Sequence, residues 1–279
     1  MGRLKVNKNP NLTIFLGIFI LIMIVISCTF ANAIAPFSPI EQNPVDRLKS
    51  PNLTHLMGTD QFGRDVFSRV LYGGRRTLVA ALLATIANTL LGTALGLIAG
   101  YYHGKLVDRI IMRIVDCLVA FPFIVLAMII TSLFGTGLVH LLIAIAIVWW
   151  IPFARLSRSV TLKYKEEPEI LAAKVAGASD VIIMIRELLP KIFSPAFILA
   201  TFKLGSLILS MSALSFFGLG AKPPTPEWGS MLSDSKAYFF QAPYLIIGIC
   251  IFIFFTVLSL NLIGEGLRDK LDPFEIIEI

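Results

Sequence analysis

Read for charge alone, the chain alternates between long apolar tracts and short charged connections. No Asp, Glu, Lys or Arg occurs over residues 9–40, 77–104, 117–154, 204–221 or 237–264, runs of 32, 28, 38, 18 and 28 residues. A bilayer-crossing helix needs about 20 apolar residues, so four of these tracts hold one span each. The tract of 38 residues is too long for one helix, and Phe134-Gly135-Thr136-Gly137 breaks it with a glycine turn. It therefore predicts two antiparallel helices. The expected spans are 12–34, 78–100, 114–134, 138–154, 197–219 and 244–265, six in all. None shows the period-2 alternation of a transmembrane barrel strand. Within lipid a helix satisfies its own backbone hydrogen bonds, and the fold class is an all-α polytopic membrane protein.

Composition agrees. The chain has 279 residues, of which 56% are apolar and 15% charged, against about 25% charged in a soluble domain. That excludes disorder and argues against a soluble enzyme. The net charge of +6 would in isolation suggest nucleic acid, but its placement explains it. With the N-terminus cytoplasmic, the inner segments carry fifteen Lys and Arg and the outer segments eight, with Lys203 inside the fifth span. The positive-inside rule thus places both termini in the cytoplasm, and nucleic acid needs no role. The first span, flanked by Lys5, Lys8 and Ala31-Asn32-Ala33, mimics a signal peptide, but its apolar stretch exceeds the roughly 7–15 residues of a signal core and argues for a retained anchor. Cys28, Cys117 and Cys250 all fall in predicted spans and read as small buried apolar residues.

The connections carry the detail. In the outer segment, Thr59 or Asp60 can cap a helix whose Val66, Phe67, Val70 and Leu71 share one face, with Asp65 and Arg69 an i,i+4 pair. This predicts an amphipathic helix at the outer membrane surface. In the inner segment 155–196, Pro168 can start a short helix behind Lys165-Glu166-Glu167. Ala172, Ala173, Ala176 and Gly177 give it a smooth face, and Gly177 can close it in a left-handed cap. Ser179 or Asp180 can cap a second helix, running from Val181 to Leu189 and ending at Pro190. Such a side chain-poor face suits close approach by another helix or a groove. Trp228, after the stiff Pro223-Pro224-Thr225-Pro226 loop, reads as an interfacial anchor, as do Trp149 and Trp150. Asp116 is the one intramembrane acid; it is functional by default, or else it pairs with Arg113 or reaches water.

No phosphate-binding loop, zinc motif or nucleophile elbow occurs, and His55, His103 and His140 are scattered. No catalytic residue and no metal site are expected, and any energy source lies outside this chain.

One set of motifs goes further. Leu171-Ala172-Ala173-x-x-x-Gly177 followed by Leu189-Pro190 resembles the EAA signature of permease subunits of bacterial ATP-binding-cassette importers. That signature reads E-A-A, three residues, G, nine residues, I-x-L-P; here Leu171 stands at the Glu position and Glu187 at the Ile position. The Leu variant and Ala178-Ser179-Asp180 resemble the branch handling dipeptides, oligopeptides and nickel. Gly58-Thr59-Asp60-x-x-Gly63-Arg64-Asp65-x-x-Ser68-Arg69 resembles its outer motif. Phe216-Phe217-Gly218-Leu219-Gly220, Pro223-Pro224-x-Pro226-Glu227-Trp228-Gly229-x-Met231 and Asn261-Leu262-x-Gly264-x-x-Leu267-Arg268-Asp269-x-Leu271-Asp272-Pro273 resemble the C-type subunit.

The resemblance implies a type I importer permease in the bacterial plasma membrane. It would carry peptides, nickel or metal–chelate complexes, in a heterodimer with a homologous B-type permease. Two ATPase subunits, which would bind ATP and Mg, sit below, and an extracytoplasmic substrate-binding protein docks above. No cofactor is expected on this chain. ATPase coupling is implied for Glu169, Leu171, Ala172, Ala173, Ala176, Gly177, Ala178, Leu189 and Pro190. Outer-face events are implied for Gly58, Thr59, Asp60, Gly63, Arg64, Asp65 and Arg69. The chain then divides into a tail and first helix (1–35), an extracytoplasmic loop (36–76), a core of five helices with the coupling loop 155–196 (77–268) and a cytoplasmic tail (269–279). The alternatives are an autonomous channel or secondary transporter, which usually shows paired ionisable groups at mid-membrane, and a membrane-embedded enzyme, for which the spans offer only Asp116 and scattered hydroxyls.

Overall fold

A computed structural model describes residues 9–271 of the chain. The N-terminal Arg3, Lys5 and Lys8, the Asp272-Pro273 end of the last motif and most of the expected tail 269–279 lie outside the described residues. Among the described residues there are helices and no strands. The principal ones are α1 (Pro10–Thr29), α2 (Val66–Tyr101), α3 (Leu106–Val119), α4 (Phe123–Phe134), α5 (Leu138–Val148), α6 (Ile151–Tyr164), α7 (Pro168–Val175), α8 (Asp180–Phe216), α9 (Trp228–Ser235) and α10 (Tyr244–Leu271).

Five helices are long and apolar enough to cross a bilayer, counting α5 and α6 together as Leu138–Tyr164. The third expected span, 114–134, is not one straight helix. Here α3 and α4 meet at 91°. Pro122 is the cause: it has no N–H to continue the ladder and disfavours helical geometry at Phe121. Gly135 and Gly137, at φ of 100° and 140°, make the expected reversal between α4 and α5.

The chain forms two compact units, one of residues 82–200 and one of the residues before and after them. In the flanking unit, α1 lies along α10. Small residues permit the approach: a Cβ on Gly17 would stand 2.8 Å from the Ser259 carbonyl oxygen. The rest of α1 exposes Leu12, Phe15, Phe19 and Met23, the all-round apolar character of a lipid-facing helix.

Trp228 is no interfacial anchor. It is fully buried, its Nε1–H donating to the Val70 carbonyl at 2.9 Å and its ring facing Phe252 at 6.4 Å. Gly74 makes room, since a Cβ there would come within 2.7 Å of the indole. The proline loop folds back over the start of α2, where Arg69 donates to the Pro224 carbonyl and Arg76 to that of Pro226, each at 3.3 Å. Cys28 is buried as expected, whereas Cys117 and Cys250 lie at the chain surface.

In the unit of residues 82–200, α2 packs on α6 through Gly92, Gly96 and Gly100, all buried and four residues apart, so they share one helix face. Cβ atoms built on them would lie 2.6 Å from Phe153 Cβ, 2.8 Å from Ala154 Cα and 2.6 Å from Thr161 Cβ respectively. This small-residue stripe lets two backbones touch where lipid supplies no hydrophobic drive. Gly96→Leu is expected to destabilise the fold by about 1–3 kcal/mol or more through overpacking, read as a lowered unfolding temperature in detergent. Trp150, half of the other expected interfacial pair, is also buried, in a cluster with Val115, Ile151 and Ala154.

Candidate functional site

The inner segment is built on a firm base. Glu167, in extended conformation, precedes Pro168 at the first turn of α7, where a missing N–H costs nothing. The helix lasts only eight residues. It ends in a Schellman motif, with Ala178 N–H donating to the Ala173 carbonyl and Gly177 N–H to that of Lys174, at 3.0 and 3.1 Å. Gly177 takes φ +86°, where an L-residue is strained. Among the described residues, a Cβ on it would meet nothing within 4 Å, so glycine is required there by the backbone and not by crowding.

Ile170 turns inward to join Leu97, Ile183, Leu188, Ile192 and Ala196, with Ala173 and Ala178 half-buried against the same cluster. Lys191 pairs with Glu167, and its ammonium lies 4.7 Å from the Tyr164 ring centroid. Exposed on the remaining surface are Leu171, Ala172, Ala176 and Gly177, while Glu169, also exposed, lies 3.7 Å from Lys191. The apolar part of this surface continues through Val175, at 89% exposure, and Val181, Ile182 and Ile185. The expected smooth face is thus split: Ala173 belongs to the base, and Leu171 and Val175 replace it on the free side.

The second helix departs from expectation. Ser179 is the cap residue, but α8 does not stop at Pro190. A π turn over Ile183–Leu188 precedes it, with Leu189 N–H reaching back to the Met184 carbonyl. The helix then runs through Pro190 and Pro195 to Phe216. Such widened turns re-satisfy backbone groups that proline would orphan. Leu189 and Pro190 are exposed on this helix, one turn beyond the loop proper.

The motif of residues 58–69 forms a buried ionic clamp instead of a surface helix. Thr59, Asp60, Arg64, Asp65, Ser68 and Arg69 are all buried. Asp65 caps α2, its Oδ2 accepting from Ser68 N–H and hydroxyl at 2.7 Å each, while its Oδ1 lies 2.9 Å from His55 Nδ1. Its i,i+4 partner is therefore not Arg69. That guanidinium turns to Asp60 at 3.5 Å and to the Pro39 carbonyl at 2.8 Å. Asp60 is the hub: Oδ1 accepts from the Phe62 and Arg64 amides at 2.8 and 3.0 Å, and Oδ2 from Arg64 Nε at 2.6 Å. Gly58 and Gly63 sit at positive φ, and a Cβ on Gly63 would collide with Asn43. Helix α2 then continues without a break to Tyr101, so the expected division at 76/77 falls inside a helix.

Electrostatics outside the spans follow burial. The hydrogen bond from Lys49 holds the Asp46 carboxyl below its ordinary range. Burial pushes Asp234 up, and it pushes Glu227 up too, against the pull of the Gly229 and Ser230 amides that this residue caps at 2.9 Å. Asp116 is exposed and lies 3.6 Å from Arg155, not Arg113. Sequence reasoning missed Tyr101 and Tyr102, whose hydroxyls reach Asp180 at 2.6 and 3.1 Å, and Asp108, which Arg158 holds at 2.7 Å. Neither pairing has a local signal, since the partners are 79, 78 and 50 residues apart.

A helix pair with a free apolar face on a packed base can bind a partner and move with it. Residues 92–275 match the binding-protein-dependent transport system inner membrane component family. The chain belongs to that family. The glutathione transport system permease protein GsiD of Shigella flexneri serotype 5b (strain 8401) is 44% identical over 267 residues, covering 95% of this chain and 88% of that protein. GsiD of Escherichia coli O157:H7 is 43% identical over the same shares. Among solved structures, the inward-facing MetNI methionine ABC transporter matches with a TM-score of 0.58 at 19% identity, over 72% of this chain and 95% of that one. An amino acid ABC transporter matches with a TM-score of 0.55 at 14% identity, over 73% and 94%.

This permease is therefore the membrane subunit of an ATP-binding-cassette importer of the peptide class, with the type I fold. It is no enzyme; ATP hydrolysis belongs to partner subunits, and the importer class brings ATPase and substrate-binding protein partners. Its place is the bacterial inner membrane, as a multi-span component. The nickel alternative finds no support, because the relatives are named for glutathione.

Proposed function

We propose that this permease forms half of a translocation path for glutathione or similarly short peptides, with a homologous B-type permease forming the other half. The exposed apolar face of α7 and the first turns of α8 carries the reading: it lies outside the apolar stretches, rests on a packed base and has no cover within its unit. It seats in an ATPase groove, so ATP and Mg, bound on the ATPase pair, move α7 as a rigid body. We read the motif at the start of α2 as extracytoplasmic, on the count of fifteen inner against eight outer Lys and Arg. ATP and the loaded binding protein each favour the outward-facing form, since a ligand shifts an equilibrium only through unequal affinity for its states.

The test is uptake of labelled glutathione into proteoliposomes holding both permeases and both ATPases, with binding protein added outside and ATP enclosed. ATP-dependent accumulation, suppressed by unlabelled di- and tripeptides, is expected. Accumulation without ATP, or indifference to glutathione and every short peptide, would overturn the reading.

A further inference from the structure

The free face of α7 explains how a partner could hold this loop, but not how its movement would reach the spanning helices. Most contacts beneath the loop are apolar: Ile170, Ala173 and Ala178 rest on Leu97, Ile183, Leu188, Ile192 and Ala196. Such contact is non-directional and tolerates sliding. The Glu167–Lys191 pair is polar, but Lys191 belongs to α8, the continuation of the loop itself.

Among the described residues, one set of side-chain hydrogen bonds leaves the loop for a different helix. Asp180 is the first residue of α8, where a carboxylate ordinarily serves its own helix amides. Here Oδ1 accepts from the Tyr101 hydroxyl at 2.6 Å and Oδ2 from the Tyr102 hydroxyl at 3.1 Å. Tyr101 ends α2 and Tyr102 follows it. Their rings stand at 89° with centroids 5.1 Å apart, so two adjacent residues pointing differently converge on one carboxylate. Lys105 lies 5.0 Å from the Tyr102 ring, and Lys105 and Lys174 both act electrostatically on Asp180. Two charge-assisted hydrogen bonds to one carboxylate fix direction as well as distance.

We propose that Tyr101 and Tyr102 are positioning residues that pass movement of the coupling loop to α2 through the Asp180 carboxylate. This rests on the reading of α7 as the ATPase seat. The hydroxyls do no packing: Tyr101 contributes its ring to the apolar cluster, which phenylalanine retains.

The experiment uses the complete transporter in lipid nanodiscs: both permeases, both ATPases and binding protein loaded with glutathione. Tyr101→Phe/Tyr102→Phe should leave the ATPases bound and basal ATP hydrolysis unchanged, while stimulation by loaded binding protein falls about fivefold or more, the low end of a coupling between sites. Tyr102→Phe, which keeps the shorter contact, should lose less than Tyr101→Phe, and the single variants carry the test if the double variant does not assemble. A merely structural role would lower assembly and basal hydrolysis together in the single variants as well, which would overturn the proposal, as would undiminished stimulation in every variant that assembles. Failure of the underlying reading looks different: Ala172→Glu, on the free face, would leave the ATPases bound, and the proposal would fall with it.

Discussion

Asp60→Ala is expected to cost the fold about 3–5 kcal/mol, the usual penalty for removing one partner of a buried ion pair. Asp60 holds Arg64 and Arg69, both buried, and accepts two backbone amides besides. Removing it leaves the Arg64 guanidinium and two N–H groups without their Asp60 acceptor and Arg69 without that counter-charge, though Arg69 keeps the Pro39 and Pro224 carbonyls. For a chain of this size the midpoint of thermal unfolding should fall by about 6–15 °C, measured on the purified permease in detergent. Asp60→Asn should do less harm, because an amide oxygen still accepts from the backbone. A shift for Asp60→Ala below about 2 °C would mean that the clamp does not hold the segment before α2. The same geometry changes what Arg64 means. Replacing it acts first on folding, so a change in uptake counts as functional only when compared at equal amounts of folded protein.

The second large effect concerns the free face of α7. Ala172→Glu is expected to weaken ATPase binding about 100-fold or more, since burying an unpaired carboxylate costs several kcal/mol and about 1.4 kcal/mol is tenfold. Ala172 is exposed in this chain, so the permease itself should insert and fold normally. In co-purification with tagged permease, the ATPase subunits should be retained by the wild type and lost from the variant. Gly177→Ala should be milder. Its Cβ meets no atom within 4 Å among the described residues and acts through the strain of φ +86°, about 1–2 kcal/mol. Retention of the ATPases by Ala172→Glu would place the seat elsewhere.

The spans were legible because lipid leaves so few ways to satisfy a backbone: uncharged tracts and the Gly135–Gly137 turn were enough. The cap at Gly177 was equally local and came out as read. What stayed hidden was tertiary. Asp65 and Arg69 suit an i,i+4 pair, but Asp65 is engaged as the cap of α2 and by His55, and Arg69 finds Asp60. The proline at position 190 looks like a stop, yet a π turn ahead of it carries the helix onward. Trp228 had the composition of an interfacial anchor, but a proline loop tied to Arg69 and Arg76 buries it. Two features were readable and were overlooked: Pro122, which bends the third expected span, and the Gly92, Gly96, Gly100 stripe. Of the residues expected to couple, Ala173 and Ala178 pack on the base while Leu171, Ala172, Ala176 and Gly177 are exposed, a division that only the fold shows.

If the ATPases take hold at α7 and the start of α8, hydrogen–deuterium exchange should show it in a comparison of the permease pair alone with the same pair bound to its ATPases, without ATP. Amides of residues 168–182 should become protected on binding, more than in any other connection between the spans. Protection elsewhere, with exchange over 168–182 unchanged, would rule out α7 as the ATPase seat.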